Sequence, residues 1–280
     1  MAKVRELMLS RWANQVCAIV LDLMMLPLAV ITFTLYMLGI YSLLFACQRR
    51  WCTRPCSATE QPMQIPILLL HGSGYNESEW LIGQLWLQQS SSSPQRVYTL
   101  NYAGYFGNRK QDGVASYALG PVREKVRQIQ AETGALEVKL VGHSLGGLIA
   151  SYYAEYVAEI DGVQVPLVIT IGTPWRGTPR VDQLFVAATR PQRYTDMAPG
   201  SALLVDLLFR IEISISGVDK RTTTSRRYVC IGSPDDLFVP GQCWKLPDSY
   251  PWVQTHAISG LGHYSLIASP SVWRIVCNYV

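Results

Sequence analysis

Leu140-Val141-Gly142-His143-Ser144-Leu145-Gly146-Gly147 is the stretch that decides the fold of this chain. It satisfies Gly-x-Ser-x-Gly and lies between a β-prone run, Glu137 to Val141, and a run with Leu145, Leu148, Ile149, Tyr152 and Tyr153 at helical spacing. Strand, sharp turn and helix in that order make a nucleophile elbow. A serine hydroxyl is a poor nucleophile at neutral pH, so it must be raised clear of the fold to meet a base and a carbonyl together. The turn raises it, and Gly142 and Gly146 suit the crowding that results, because a Cβ there would strike the following helix. Alone, the pattern also fits a structural Gly-Ser turn, and the flanking sequence has to choose.

Working outward, the chain alternates as a parallel α/β sheet requires. A strand at Ile65–Leu70 precedes a helix near Glu77–Gln89, and a strand at Arg96–Leu100 precedes a helix near Val114–Ala131. After the elbow, strands are expected at Val165–Ile171, Arg227–Ile231 and Val253–Ile258, with a terminal helix following Pro270. Ser90–Pro94 reads as a loop. There is no internal repeat, and the residues from 65 onward suffice for one domain with a sizeable core.

Four histidines limit the choice of base. His71 belongs to a His-Gly turn after the first strand, and His143 stands inside the elbow. His256 falls within a strand, which leaves His263, on the glycine-rich loop Gly260-Leu261-Gly262-His263, as the base that should come last in the chain. An acid must accept the other imidazole N–H from beyond a strand end, and Asp235 and Asp236 both follow Cys230-Ile231-Gly232. Oxyanion donors are expected at the Leu145 amide, next to the serine, and at the Ser73 amide in His71-Gly72-Ser73-Gly74.

With these motifs in place, the chain from Ile65 to its C-terminus resembles an α/β-hydrolase of the bacterial lipase and esterase kind. The resemblance runs through His71-Gly72-Ser73-Gly74, Gly142-His143-Ser144-Leu145-Gly146-Gly147, Gly172-Thr173-Pro174-Trp175-Arg176-Gly177-Thr178, Asp236-Leu237-Phe238-Val239-Pro240 and Gly262-His263. It implies a mostly parallel sheet flanked by helices and a triad of Ser144, His263 and Asp236, the aspartate chosen because the family's acid commonly opens Asp-x-x-Val. Asp235 then reads as a turn or capping residue. The third motif is similar to a Gly-Thr-Pro-His-Arg-Gly-Ser segment of true lipases, with Trp175 in place of the histidine and a larger apolar surface expected beside the site. The resemblance implies hydrolysis of carboxylic esters, lipid acyl esters among them, through an acyl-serine, without cofactor or metal. Phospholipases, thioesterases, inositol deacylases and some acyltransferases share the motifs, and a non-catalytic binding module of the same fold is the remaining alternative. Residues 174–226 hold several apolar runs, including Leu203–Phe209, that read either as a cap or lid or as an ordinary packed helix.

Charge and hydropathy divide the chain further. Between Trp12 and Gln48 the only charged residue is Asp22, and the uncharged run after it is long enough for one membrane-spanning helix over about 23–47. Residues 1–50 read as a membrane anchor, 51–64 as a linker and 65–280 as the catalytic domain, with a cleaved signal or a lipoprotein signal at Cys47 as alternatives. The expected location is a single-pass protein of a bacterial inner membrane. Basic residues flank the span on both sides, so the side holding the catalytic domain is not chosen. Residues 1–56 carry the whole net charge of +4, which leaves the remainder neutral and argues against nucleic acid as a partner. Seven cysteines show no paired zinc-site spacing, and a Cys230–Cys243 disulfide is one pairing the set allows.

Overall fold

The computed structural model describes residues 10–25, 64–89, 95–102, 112–180, 191–216, 226–247, 250 and 252–280. Ile67-Leu68-Leu69-Leu70 has no polar face, and a strand apolar on both sides belongs inside a sheet covered twice. That strand, β1 (Ile67–Leu70), is buried throughout. It is joined by β2 (Val97–Leu100), β3 (Lys139–His143), β4 (Leu167–Ile171), β5 (Arg227–Gly232) and β6 (Val253–Ala257). All neighbouring strands pair in parallel, in the order β2-β1-β3-β4-β5-β6. Every expected strand is present, with ends shifted by a residue or two.

Alternate residues of the inner strands feed two cores. Leu68, Leu70, Leu140, Val168 and Tyr228 pack with the helices that follow β2 and β3. Ile67, Leu69, Val141, Ile169 and Val229 pack on the other face with Trp80, Leu87, Val272 and Trp273. The first of those outer elements is a short 3₁₀ turn, Glu77–Trp80, capped by Asn76 and continued by the helix Leu81–Gln89. The helix expected near Val114–Ala131 runs from Val114 to Thr133, with a wider π-type turn at Ala118–Val122 where Pro121 removes a backbone donor. It ends at Gly134, whose φ of 68° is the left-handed C-cap that glycine tolerates.

The strand order reverses at β1, which lies between β2 and β3, and such a switch point opens a crevice beyond the carboxyl ends of the two diverging strands. Leu70 is in register with Gly142, so the segment after β1 and the elbow after β3 emerge side by side there.

Two expectations are corrected. Trp175 does not line an apolar site surface: it is fully buried, edge-on to Tyr228 on β5, and its indole N–H donates to Thr170 Oγ1 on β4 at 3.3 Å. Cys230 and Cys243 are free thiols rather than a disulfide. The run Leu203–Phe209 lies in a helix, Ala202–Ser216, that buries Leu204, Leu207 and Ile211 in the core while Val205 and Phe209 stay exposed, as a packed amphipathic helix does. Ser90–Pro94 and the linker up to residue 63 lie outside the described residues. So does the expected span from residue 26 onward, and among the described residues no helix is long and apolar enough to cross a membrane. Residues 10–25 form a helix in which Asp22, read from sequence as the last charge before a span, accepts the backbone amides of Tyr264 and Ser265.

Candidate active site

The elbow has the geometry its residues require. Ser144 has φ 53° and is the only non-glycine residue with positive φ among the described residues, a conformation that costs of the order of 1–3 kcal/mol and persists only where its surroundings impose it. Those surroundings are tight. A Cβ on Gly142 would run into the backbone of Gly146, and a Cβ on Gly146 would run into the carbonyls of Leu70 and His71. Both glycines of the pattern therefore answer to close backbone approach. The Ser144 amide is held by the Ile171 carbonyl of β4 at 2.8 Å.

The structure brings the three expected residues together from three strand ends. Ser144 Oγ lies 3.0 Å from Nε2 of His263, and Nδ1 of His263 lies 2.7 Å from Oδ2 of Asp236. Asp236 only accepts, so Nδ1 carries the proton and Nε2 is left to accept from the serine hydroxyl. The other carboxylate oxygen, Oδ1, accepts the amides of Phe238 and Val239 at 2.7 and 2.9 Å. Burial alone would raise the Asp236 pKa, but His263 and these two amides outweigh it and hold the carboxyl below its ordinary value. Asp236, His263 and Ser144 are all buried.

Asp235 has a different task. Its Oδ2 accepts the amide of Gly260 at 2.7 Å, fixing the loop that carries His263 rather than capping a local turn only. His256 sits on the edge strand β6 and meets Tyr279 Oη at 2.8 Å, in keeping with a structural role. His71 stacks on Tyr102 at 4.0 Å, and burial lowers its pKa from the ordinary value of 6.5.

The segment expected to supply an oxyanion donor lies against Ser144. A Cβ on Gly72 would come within 3.3 Å of Ser144 Cβ. The Gly72 amide is committed elsewhere, to Glu79 Oε2 at 2.8 Å. Ser73, whose amide is the expected donor from this loop, follows directly, and Leu145, the other expected donor, opens the elbow helix Leu145–Tyr152. Ser73 Oγ also donates to Tyr194 Oη at 3.3 Å, so the helix Gln192–Asp196 reaches the same loop.

Glu79 and Asp22 are the residues that sequence reasoning missed. Glu79 Oε1 lies 2.7 Å from His143 Nδ1, and His143 Nε2 lies 3.1 Å from the backbone carbonyl of His263. A carbonyl and a carboxylate both accept, so these surroundings favour the imidazolium, in which both ring nitrogens of His143 donate. Burial alone would lower its pKa, yet Glu79 and the His263 carbonyl outweigh that and raise it above 6.5. One buried pair thus ties together the loops bearing Gly72, Ser144 and His263. No signal in sequence marks Glu79, because its partners lie seven and 64 residues away. Asp22 Oδ1 accepts the amides of Tyr264 and Ser265, the two residues after His263, at 3.0 and 2.8 Å.

The chain is similar to known proteins. The profile of the alpha/beta hydrolase family covers residues 67–270. A triacylglycerol lipase of Pseudarthrobacter phenanthrenivorans is 32% identical over 120 residues, spanning 42% of this chain and 35% of that protein. A triacylglycerol lipase of Burkholderia plantarii is 32% identical over 120 residues, 42% of this chain and 31% of that protein. The chain thus matches about a third of the length of these curated relatives. Among solved structures, Bacillus licheniformis lipase BlEst2 in mature form superposes with a TM-score of 0.58 at 16% identity, over 79% of this chain and 94% of that one. The product of the gene lin2722 from Listeria innocua superposes at 0.53 and 18% identity, over 76% and 92%. At such identities these structures speak for the fold.

Proposed function

The chain belongs to the alpha/beta hydrolase family, and we propose that it hydrolyses carboxylic esters, lipid acyl esters in particular, through an acyl-serine on Ser144. The observation that carries this reading is the continuous line from Ser144 Oγ through His263 to Asp236, at 3.0 and 2.7 Å, on a nucleophile held at φ 53°.

The chemistry follows from the proton positions. Ser144 Oγ attacks the ester carbonyl carbon while its proton passes to Nε2 of His263. The carbonyl oxygen becomes an oxyanion, which the Ser73 and Leu145 amides stabilise. Asp236 stays ionised and steadies the imidazolium. The intermediate expels the alcohol, which takes the proton from Nε2 and leaves the acyl group on Ser144. Water then attacks the acyl carbon, giving a proton to Nε2, and collapse releases the acid as that proton returns to Ser144 Oγ.

A lipid substrate is supported by the triacylglycerol lipases among the relatives. Attachment to a bacterial inner membrane through residues 23–47 belongs to the same reading and rests on the uncharged run in the sequence. The test is kcat/KM of the full-length chain on esters of increasing acyl length. Each buried methylene contributes roughly 0.8 kcal/mol, so an acyl site should give a rise from four to eight carbons. A maximum at acetyl esters would replace lipid with small ester as the substrate class.

A further inference from the structure

The N-terminal helix over residues 10–25 lies outside the segment matched by the family, yet it reaches the loop of the catalytic base. Asp22 Oδ1 accepts the Tyr264 and Ser265 amides. These amides open the short helix Ser265–Ala268, where the first backbone N–H groups have no acceptor within the helix. Tyr264, in the capping position, supplies no side-chain acceptor, and the Asp22 carboxylate serves instead. Hydrogen bonds to an ionised acceptor are about twice as strong as neutral ones.

A second observation comes from the other side of His263. Gly262 lacks a positive φ, so its backbone conformation does not call for glycine. What calls for it is space, because a Cβ there would run into the Asp22 carboxylate. The residues on both sides of His263 are thus shaped around one distant aspartate. Asp22 is also the only charged residue between Trp12 and Gln48, and Ala18, one turn earlier, is buried.

We propose that Asp22 is a positioning residue for His263, which makes the N-terminal helix a working part of the active site. This rests on the reading of Ser144 and His263 as nucleophile and base. Asp22 touches neither substrate nor the reacting atoms. It sets the backbone from which the imidazole reaches Ser144 Oγ on one side and Asp236 on the other. Releasing Tyr264 and Ser265 lets the ring drift from both, and a misplacement of about 1 Å can cost roughly 10²-fold in rate.

The test uses the full-length chain and a chromogenic ester, with active sites counted by fluorophosphonate titration. Asp22→Ala should lower kcat per active site by roughly 10- to 100-fold and leave KM within about two-fold, since base alignment, not binding, is lost. Asp22→Asn keeps an Oδ1 acceptor and should restore most of the rate. Gly262→Ala displaces the same carboxylate and should lower kcat alike, and the double variant Asp22→Ala/Gly262→Ala should be no slower than the slower single variant. If Asp22→Ala does not fold, Asp22→Asn against Gly262→Ala decides, with a fast asparagine variant and a slow alanine variant expected. Wild-type kcat per active site in Asp22→Ala, in Gly262→Ala or in both, with Ser144→Ala inactive, overturns the positioning role and leaves the serine mechanism standing. Multiplicative losses in the double variant overturn it as well. Ester hydrolysis surviving in Ser144→Ala removes the serine reading and this proposal together.

Discussion

Glu79 Oε1 lies 2.7 Å from Nδ1 of His143, and neither side chain is exposed to solvent. The pair binds three active-site loops without taking part in the proton path. Removing one member of a buried ion pair leaves the other uncompensated and typically costs about 3–5 kcal/mol. Glu79→Ala should therefore lower the urea midpoint sharply, and the double variant Glu79→Ala/His143→Leu should recover part of the loss. A Glu79→Ala protein as stable as the wild type would contradict the buried pair.

The same pair gives a signed pH dependence. Glu79 and the His263 carbonyl hold the His143 pKa above its ordinary 6.5, with Asp236 adding in the same sense and burial opposing. The folded protein then binds this proton more tightly than the unfolded chain. The contribution is complete below pH 6.5 and is lost as pH rises through the folded value. His71 runs the other way: burial lowers its pKa, so its contribution is lost as pH falls below 6.5. Above pH 6.5 unfolding free energy should fall more steeply with pH in the wild type than in His143→Gln. Equal slopes would contradict the imidazolium assignment.

Strain at the nucleophile predicts a trade between stability and activity. Ser144 sits at φ 53°, which glycine adopts without a steric penalty. Ser144→Gly should abolish ester hydrolysis and raise the melting temperature, with a gain of about 1 kcal/mol or more. Calorimetry of the two proteins checks it, and a less stable Ser144→Gly would argue against strain at this position.

The adjacent aspartates should separate cleanly. Asp236→Asn offers an amide N–H or a neutral oxygen to His263 and favours the wrong tautomer, for a loss of about 10⁴-fold in kcat. Asp235→Asn can still accept the Gly260 amide and should stay near wild-type turnover. Steady-state kinetics on folded variants decides, and the reverse ranking would show that Asp235 is the acid.

How much of this was legible in the sequence follows from the range of each interaction. Five of the strands are legible as short, largely apolar runs bounded by glycines, prolines or charges, and the exposed edge strand Val253–Ala257 by its β-branched Val253 and Thr255. Ser144, His263 and Asp236 are legible because a nucleophile elbow, a late glycine-rich loop and an Asp-x-x-Val segment each leave a local mark. Glu79 leaves none, since any acidic residue opening a helix looks the same. Asp22 leaves none either, since the amides bonded to it belong to Tyr264 and Ser265, 242 and 243 residues away. Trp175 misleads: its motif lies near the site, while its side chain turns into the core against Tyr228.

The most direct measurement of the central claim is mass spectrometry of the full-length protein after treatment with a fluorophosphonate, on the wild type and on folded His263→Ala. The account predicts one covalent adduct on the peptide containing Ser144, formed in parallel with loss of ester hydrolysis and far more slowly in His263→Ala. Full inhibition with Ser144 unmodified, or equal labelling rates in the two proteins, would contradict it.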